Sequence, residues 1–117
     1  MMRTVNELAK EIHEVSTSKG FEAPNADNMG QKLLLVVSEV CEAQEQLRDG
    51  YGLNEIYYET DPRKTIDPKP EGFPIELADA IIRLFHIGHA VGIDLNAVIE
   101  QKIAYNKTRP EKHGRKF

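Results

Sequence analysis

The chain has 117 residues, of which 40% are hydrophobic and 29% are charged, and its formal net charge is −4. These values predict one folded domain over residues 1–117 and argue against a disordered chain or a nucleic-acid-binding surface. The sequence has one cysteine, and no apolar run approaches the ~18 residues of a membrane span. The N-terminus does not show the pattern of a secretory signal. We therefore expect a cytoplasmic protein without a membrane partner.

Four segments carry apolar side chains at the three- and four-residue spacing that is typical of amphipathic helices. The first is predicted from a capping-box pattern, Thr4 with Glu7, to the stop at Gly20. The second is predicted over residues 28–48, where an Asp-Gly pair ends it.

The other two helices lie in the second half of the chain. The third is predicted to begin at Pro74 and to end near Gly92, and the fourth is capped by Asp94 and stopped by Pro110. The fold class predicted from this pattern is all-α, a small antiparallel four-helix bundle.

The connection between the second and third predicted helices, residues 50–73, is long for a compact domain. Within it only Glu55 to Glu59 has the composition of a short extended segment or a helical turn. The chain ends in a basic tail, residues 107–117, which suits either a phosphate ester or solvent.

The third predicted helix is apolar almost all round, so we expect it to be buried. Its polar side chains Glu76, Asp79, Arg83 and His86 fall within an arc of roughly 80° and are therefore predicted to face a cleft. His89 is expected to be structural.

The second predicted helix presents Glu39 and Glu42 on one side, with Lys32 along nearly the same line. Cys41 lies on its apolar face, where we expect core packing. If the second and third helices pack antiparallel, Glu39, Glu42, Glu76 and Asp79 could converge. All-oxygen ligation favours Mg²⁺, Mn²⁺ or Ca²⁺ over zinc, and we expect Mg²⁺, with Mn²⁺ as an alternative, because Mg²⁺ accepts phosphate oxygens. The competing interpretation is two solvated acidic pairs, and periodicity alone does not decide between them.

The fourth predicted helix places Lys102, Asn106 and Arg109 on one face, where they could contact phosphates or solvent. The aromatic residues, Phe21 among them, could stack on a base but are expected to pack.

Two acidic motifs together resemble those of a known family. Ser-Glu-Val-Cys-Glu at 38–42 and Glu-Leu-Ala-Asp at 76–79 are similar to the paired motifs of MazG-like nucleoside triphosphate pyrophosphohydrolases. The segments 70–83 and 102–117 resemble the same family. The family's first motif usually carries two adjacent glutamates, and Ser38 stands in the first of these places. The connection between the motifs is also longer than usual, and residues 50–73 could form a lid or an oligomer contact.

The resemblance implies Mg²⁺-dependent hydrolysis of a nucleoside triphosphate to the monophosphate and pyrophosphate. It implies metal ligation by Glu39, Glu42, Glu76 and Asp79, and we favour Glu39 as the residue that activates water. Lys102, Asn106 and Arg109 are implied as triphosphate contacts, and we add Lys32 and Arg83 from the polar faces. It also implies self-association, as a homodimer or a dimer of dimers.

Three alternatives remain open from the sequence. One is a non-enzymatic helical interaction module whose acidic pairs are surface residues. Another is a pyrophosphatase specific for dUTP, dCTP or a modified nucleotide on the same scaffold. The third, nucleic-acid binding through the basic tail, is disfavoured by the net charge of −4.

Overall fold

The computed structural model describes residues 2–115, and 61% of these residues are helical. The elements are α1 (Val5–Ser18), α2 (Met29–Arg48), β1 (Tyr57–Glu59), β2 (Lys69–Glu71), α3 (Phe73–Ala90), α4 (Leu95–Thr108) and a 3₁₀ turn (Glu111–Gly114). The mostly helical fold and its helix positions agree with the sequence prediction. No helix in this part of the chain is long and apolar enough to cross a membrane alone; only α3 and α4 together pass that test, and they are bent by 113° at their break.

The starts of α1 and α4 are capped by the side chains that the sequence pattern singled out. Thr4 Oγ1 accepts a hydrogen bond from the Glu7 N–H at 3.1 Å, and Glu7 Oε1 accepts from the Thr4 N–H at 3.0 Å, which completes the capping box. At the start of α4, Asp94 Oδ1 accepts from the Ala97 N–H and from the Asn6 side chain. Asp94 therefore caps α4 and also ties it to the start of α1.

The connection between α2 and α3 contains a small β-ribbon. β1 pairs antiparallel with β2, with Tyr58 opposite Pro70. The extended alternative for residues 57–59 is thus confirmed, whereas the second strand was not predicted. Gly72 closes the ribbon with a φ of 126°, and a Cβ at this position would lie 2.3 Å from the Glu55 carbonyl oxygen. The close approach and the positive φ both require glycine here.

Helix α3 is the central element of the packing. α2 runs along one side of it and α1 packs on another, whereas α4 turns away by 113° and contributes no buried residue among those described. Gly88 lets the start of α4 approach α3, because a Cβ there would lie 2.7 Å from the Leu95 side chain.

Most large apolar side chains remain at the surface of this single chain. Within residues 2–115 the buried apolar residues are Ala9, Ala43 and Ala80, and no large side chain is fully buried. The expectation that α3 is buried all round is therefore wrong for the single chain, because α1 and α2 cover only part of its surface and α4 meets it only near its end. Cys41 is also exposed, not packed in a core. The exposed apolar residues of α2 and α3 are Leu33, Leu34, Val37, Val40, Leu77, Ile81, Ile82 and Leu84.

Candidate metal centre and adjoining cleft

Three of the four predicted carboxylate ligands meet where α2 packs against α3. One carboxylate oxygen from each of Glu39, Glu42 and Glu76 lies within 4.8 Å of the other two, and we call these residues the carboxylate cluster. Ala43 and Ala80 are buried one turn after Glu39 and Glu76 on their helices. Their small side chains let α2 and α3 approach closely beside the cluster.

The cluster contains carboxylate oxygens with unused hydrogen-bonding capacity. Glu39 and Glu76 are each 8% exposed, and the Oε2 atoms of both residues have no hydrogen-bond partner among the described residues. A buried polar atom without a partner costs about 1–3 kcal/mol, and more when it is charged. These two oxygens therefore have room for a cation that the protein itself does not supply.

The proton affinities of the cluster show how strongly its carboxyl groups repel one another. Burial, followed by the nearby Glu42 carboxyl, raises the pKa of Glu76 to about 8. The Glu39 carboxyl and burial raise the pKa of Glu42. Burial opposes the ionisation of Glu39 too, but the Glu42 carboxyl and the Arg83 guanidinium outweigh it and lower the Glu39 pKa. The raised pKa values of Glu42 and Glu76 mean that protons reduce the repulsion among these carboxyl groups when no metal cation is bound.

Oxygen chemistry and spacing fit a small divalent cation. Neighbouring ligands of an octahedral Mg²⁺, each ~2.1 Å from the ion, are ~3.0 Å apart, so side-chain movements of about 1 Å bring three oxygens within 4.8 Å of one another into range. Of the four predicted ligands, Asp79 does not join this group. It stands one turn after Glu76, and its side chain is one methylene shorter. Burial and the Glu39 charge raise the pKa of Asp79, which places its carboxylate within electrostatic reach.

A cleft of about 320 Å³ opens beside the cluster. Its polar lining includes Glu39, Asp79, Lys32 and Arg83, all predicted as site residues. Arg83 Nε donates to Glu39 Oε1 at 2.9 Å. The cleft therefore brings two cations next to three carboxylates, those of Glu22, Glu39 and Asp79, and Glu39 also belongs to the cluster.

Three predicted substrate contacts lie elsewhere in the single chain. Lys102, Asn106 and Arg109 lie on α4 or at its C-terminal end and do not line the described cleft. The Lys102 ammonium and the Arg109 guanidinium instead lie over the Tyr105 ring, at 5.1 and 5.5 Å from its centroid. Their role as triphosphate contacts stays a prediction.

Part of the cleft wall was not predicted from the sequence. Ser16, Phe21, Glu22 and Pro24 line it from the end of α1 and the connection to α2. Phe21 is 69% exposed, so its ring is available to a ligand and is not packed as expected. The sequence did contain a signal for the placement of Phe21. Gly20, which ends the first helix, has a φ of 84° and turns the chain immediately before Phe21.

The histidines of α3 meet a third histidine from α1. His86 lines the cleft, and its Nε2 lies 3.1 Å from His13 Nδ1. The His89 ring centroid is 5.0 Å from that of His13. His86 thus lines the cleft, as the polar stripe predicted, and His89 packs against α1.

Taken together, an oxygen-ligand cluster, two cations and an exposed aromatic ring surround one opening. Such a site can hold a divalent cation next to an anionic ligand that carries a ring. Comparisons of the chain with protein-family models, with curated proteins and with solved structures find no match.

Proposed function

We propose that this protein is a Mg²⁺-dependent hydrolase that converts (deoxy)nucleoside triphosphates to the monophosphate and pyrophosphate. The observation that carries the proposal is the carboxylate cluster, with two unpartnered buried oxygens, at the edge of a cleft that also contains Lys32 and Arg83. The resemblance of both acidic motifs to MazG-like pyrophosphohydrolases agrees with this chemistry.

Glu39, Glu42 and Glu76 are the residues that would hold Mg²⁺, and Asp79 is positioned to join them or to bind a metal-ligated water. Bound there, the cation would neutralise phosphate charge and polarise the bond between phosphorus and oxygen. Mn²⁺ has the same preference for oxygen ligands and is expected to substitute.

The cleft supports binding of a nucleotide. Its volume of about 320 Å³ is at the lower end of small-molecule sites, and one side remains open to solvent. Lys32 and Arg83 supply cations for phosphate oxygens. The exposed Phe21 ring offers a stacking surface for a base, on the wall formed by the α1–α2 connection.

Glu39 is the residue we assign to the activation of water. It belongs to the cluster and lines the cleft, so it is close both to the metal ligands and to the substrate. The Glu42 carboxyl and the Arg83 guanidinium lower the Glu39 pKa against the effect of burial and so favour the carboxylate form, which can orient a water molecule by accepting its hydrogen bond. Arg83 holds Glu39 Oε1, which leaves Oε2 for the metal or for water.

Self-association is part of the proposal. The outward apolar side chains of α2 and α3, together with the unburied α4, form more apolar surface than a small monomer normally exposes. We infer a homodimer or dimer of dimers in which these faces pack and complete an antiparallel four-helix bundle. In that assembly Lys102, Asn106 and Arg109 would reach a triphosphate. Sedimentation equilibrium at micromolar concentration is expected to return a dimer or tetramer, and a monomer would contradict this part.

A helical interaction module without activity is the second candidate, and the exposed apolar faces favour it. The two candidates differ in what Mg²⁺ does. An interaction module would be indifferent to Mg²⁺, whereas the hydrolase needs it both for turnover and for the stability of the cluster.

The test is hydrolysis of a panel of canonical and modified (deoxy)nucleoside triphosphates, dUTP and dCTP included, with Mg²⁺ or with EDTA. Mg²⁺-dependent release of pyrophosphate is expected from the wild-type protein and not from Glu39→Gln. Glu45→Gln is the matched control, because Glu45 is an exposed residue of the same helix outside the cluster. Folded wild-type protein that is inactive on every nucleotide would overturn the proposal.

A further inference from the structure

The histidine contact between α1 and α3 is a second group of potential metal ligands, separate from the carboxylate cluster. His13 Nδ1 and His86 Nε2 are 3.1 Å apart, and the two rings meet edge to face at 64°. Both residues are half-buried, and α1 packs directly on α3 here. The protein therefore holds two ring nitrogens together without relying on a flexible loop.

The distance between these nitrogens matches two ligands on one transition-metal ion. With metal–nitrogen bonds of ~2.0–2.1 Å, neighbouring ligands are roughly 2.8–3.0 Å apart in octahedral geometry and roughly 3.3–3.4 Å apart in tetrahedral geometry. The separation of 3.1 Å lies between these two ranges, so a change of about 0.1–0.3 Å reaches either geometry. Imidazole nitrogens suit Zn²⁺, Ni²⁺ and Cu²⁺, whereas the oxygens of the carboxylate cluster suit Mg²⁺.

We propose that His13 and His86 form a binding site for a borderline transition cation such as Ni²⁺ or Zn²⁺, on the wall of the cleft and distinct from the carboxylate cluster. Solvent completes the coordination, and His89 is the nearest further imidazole, with its ring centroid 5.0 Å from that of His13. His89 stands one turn after His86 on α3, so a side-chain rotation brings it toward the same ion.

The protonation of the pair permits this role. In the metal-free protein one of the two facing nitrogens carries the proton of their hydrogen bond. To bind a cation, that ring moves its proton to its other nitrogen, so both facing nitrogens present a lone pair and no net proton is released. Burial, together with the charges of His13, Lys32 and His89, lowers the pKa of His86, which keeps this imidazole neutral at pH 7.

The location gives the site a consequence for ligands of the cleft. His86 shares the cleft with Asp79 and Arg83, so an ion bound to His86 narrows the opening and adds positive charge to its wall. The proposal does not depend on nucleotide hydrolysis, because it rests on the histidine pair alone.

The site is tested by calorimetric titration of the untagged full chain with Ni²⁺ in excess Mg²⁺. One equivalent is expected to bind to wild type, and His13→Gln and His86→Gln are each expected to weaken it at least about tenfold. His113→Gln, the fourth histidine of the sequence, and Glu76→Gln, which alters the carboxylate cluster, are expected to leave Ni²⁺ affinity unchanged. Equal Ni²⁺ affinity in wild type and both histidine variants would overturn the proposal.

A measurement on the wild-type protein guards against variants that fail to fold. Substoichiometric Ni²⁺ is expected to broaden NMR signals around His13 and His86 first. Broadening centred on Glu39 and Glu76 would instead assign the ion to the carboxylate cluster and contradict the inference. Because neither readout uses a nucleotide, its result is independent of the proposed hydrolase activity.

Discussion

Replacing Glu76 by glutamine is expected to stabilise the metal-free protein and to remove most of its stabilisation by Mg²⁺. Glu76 is 8% exposed, its Oε2 has no partner among the described residues, and burial raises its pKa from 4.5 to about 8. Above pH 8 the wild-type protein must hold this carboxylate ionised among like charges, whereas glutamine is neutral at every pH.

The proton affinity sets the size of the effect. Each tenfold change in proton affinity is worth ~1.4 kcal/mol, so the interval from 4.5 to about 8 corresponds to a ceiling of about 5 kcal/mol. Water entering the cluster screens the charges and lowers this value, and we expect Glu76→Gln to gain about 2 kcal/mol in EDTA at pH 8.5. Mg²⁺ at a hundred times its Kd stabilises wild type by ~2.7 kcal/mol, which the variant largely forgoes.

The assay is urea unfolding followed by circular dichroism at one fixed protein concentration, in EDTA and in Mg²⁺. In EDTA, Glu76→Gln is expected to be more stable than wild type. In Mg²⁺ this difference in the free energy of unfolding is expected to disappear or to change sign. Glu100→Gln, an exposed residue of α4, is the control and should shift neither condition. A destabilised Glu76→Gln in EDTA, or equal Mg²⁺ stabilisation of both proteins, would refute the reasoning.

Three further outcomes are expected. In EDTA the contribution of Glu76 to the free energy of unfolding should be greatest below pH 4.5 and should fall as pH rises through about 8, because the folded state binds the Glu76 proton more tightly than the unfolded state does. Urea unfolding of wild type and of Glu76→Gln at pH 5 and at pH 8.5 measures this fall. The same pH dependence in both proteins would contradict the prediction. Arg83→Gln should move the acid limb of the pH–rate profile of nucleotide hydrolysis to higher pH, because Arg83 contributes to the low pKa of Glu39. Initial rates of hydrolysis measured across pH test this, and an acid limb at the same pH in both proteins would count against it. Gly72→Ala should lower the free energy of unfolding, measured by chemical denaturation, by at least about 2 kcal/mol more than Gly50→Ala does. Both glycines have a positive φ, but only at Gly72 would the added Cβ lie 2.3 Å from a backbone atom. Equal losses of stability would show that the β-ribbon shifts to accommodate the added Cβ.

Local signals predicted the helices well because each end depends on residues next to it. Thr4 with Glu7, and Asp94 with the first turn of α4, form the caps that their sequence pattern indicates. The i, i+3 spacing likewise put each acidic pair on one helical face. These features depend on helix geometry alone and need no knowledge of the partner helix.

The missing information concerns contacts between distant segments. β2 contains Pro70, which lacks a backbone N–H and so weakens any strand signal, although the edge of a two-stranded ribbon tolerates it. Asp79 lies on the predicted face, but its carboxylate is not among the three that meet in this structure. Ser16, at the end of α1, and Phe21, in the connection that follows, line the same cleft as residues of α2 and α3, and periodicity does not describe such a contact between segments.

Burial was mispredicted for a related reason. An apolar helix such as α3 indicates that its surface is covered, but the sequence does not say by which chain. In the single chain Leu77, Ile81 and Leu84 remain between 44% and 49% exposed, while the ionisable Glu39 and Glu76 are buried between the helices. The pattern is consistent with our proposal that a second copy covers the apolar faces.

The central claim is Mg²⁺-dependent cleavage between the α and β phosphates, and product analysis in ¹⁸O-labelled water tests it most directly. The wild-type protein, a preferred nucleoside triphosphate and Mg²⁺ would be followed by ³¹P NMR, with Glu39→Gln as the comparison. We predict monophosphate and pyrophosphate as the only products, formed by wild type and not by the variant, with ¹⁸O in one of the two. Release of the nucleoside diphosphate and orthophosphate would contradict the account, and so would turnover that persists in EDTA or in Glu39→Gln.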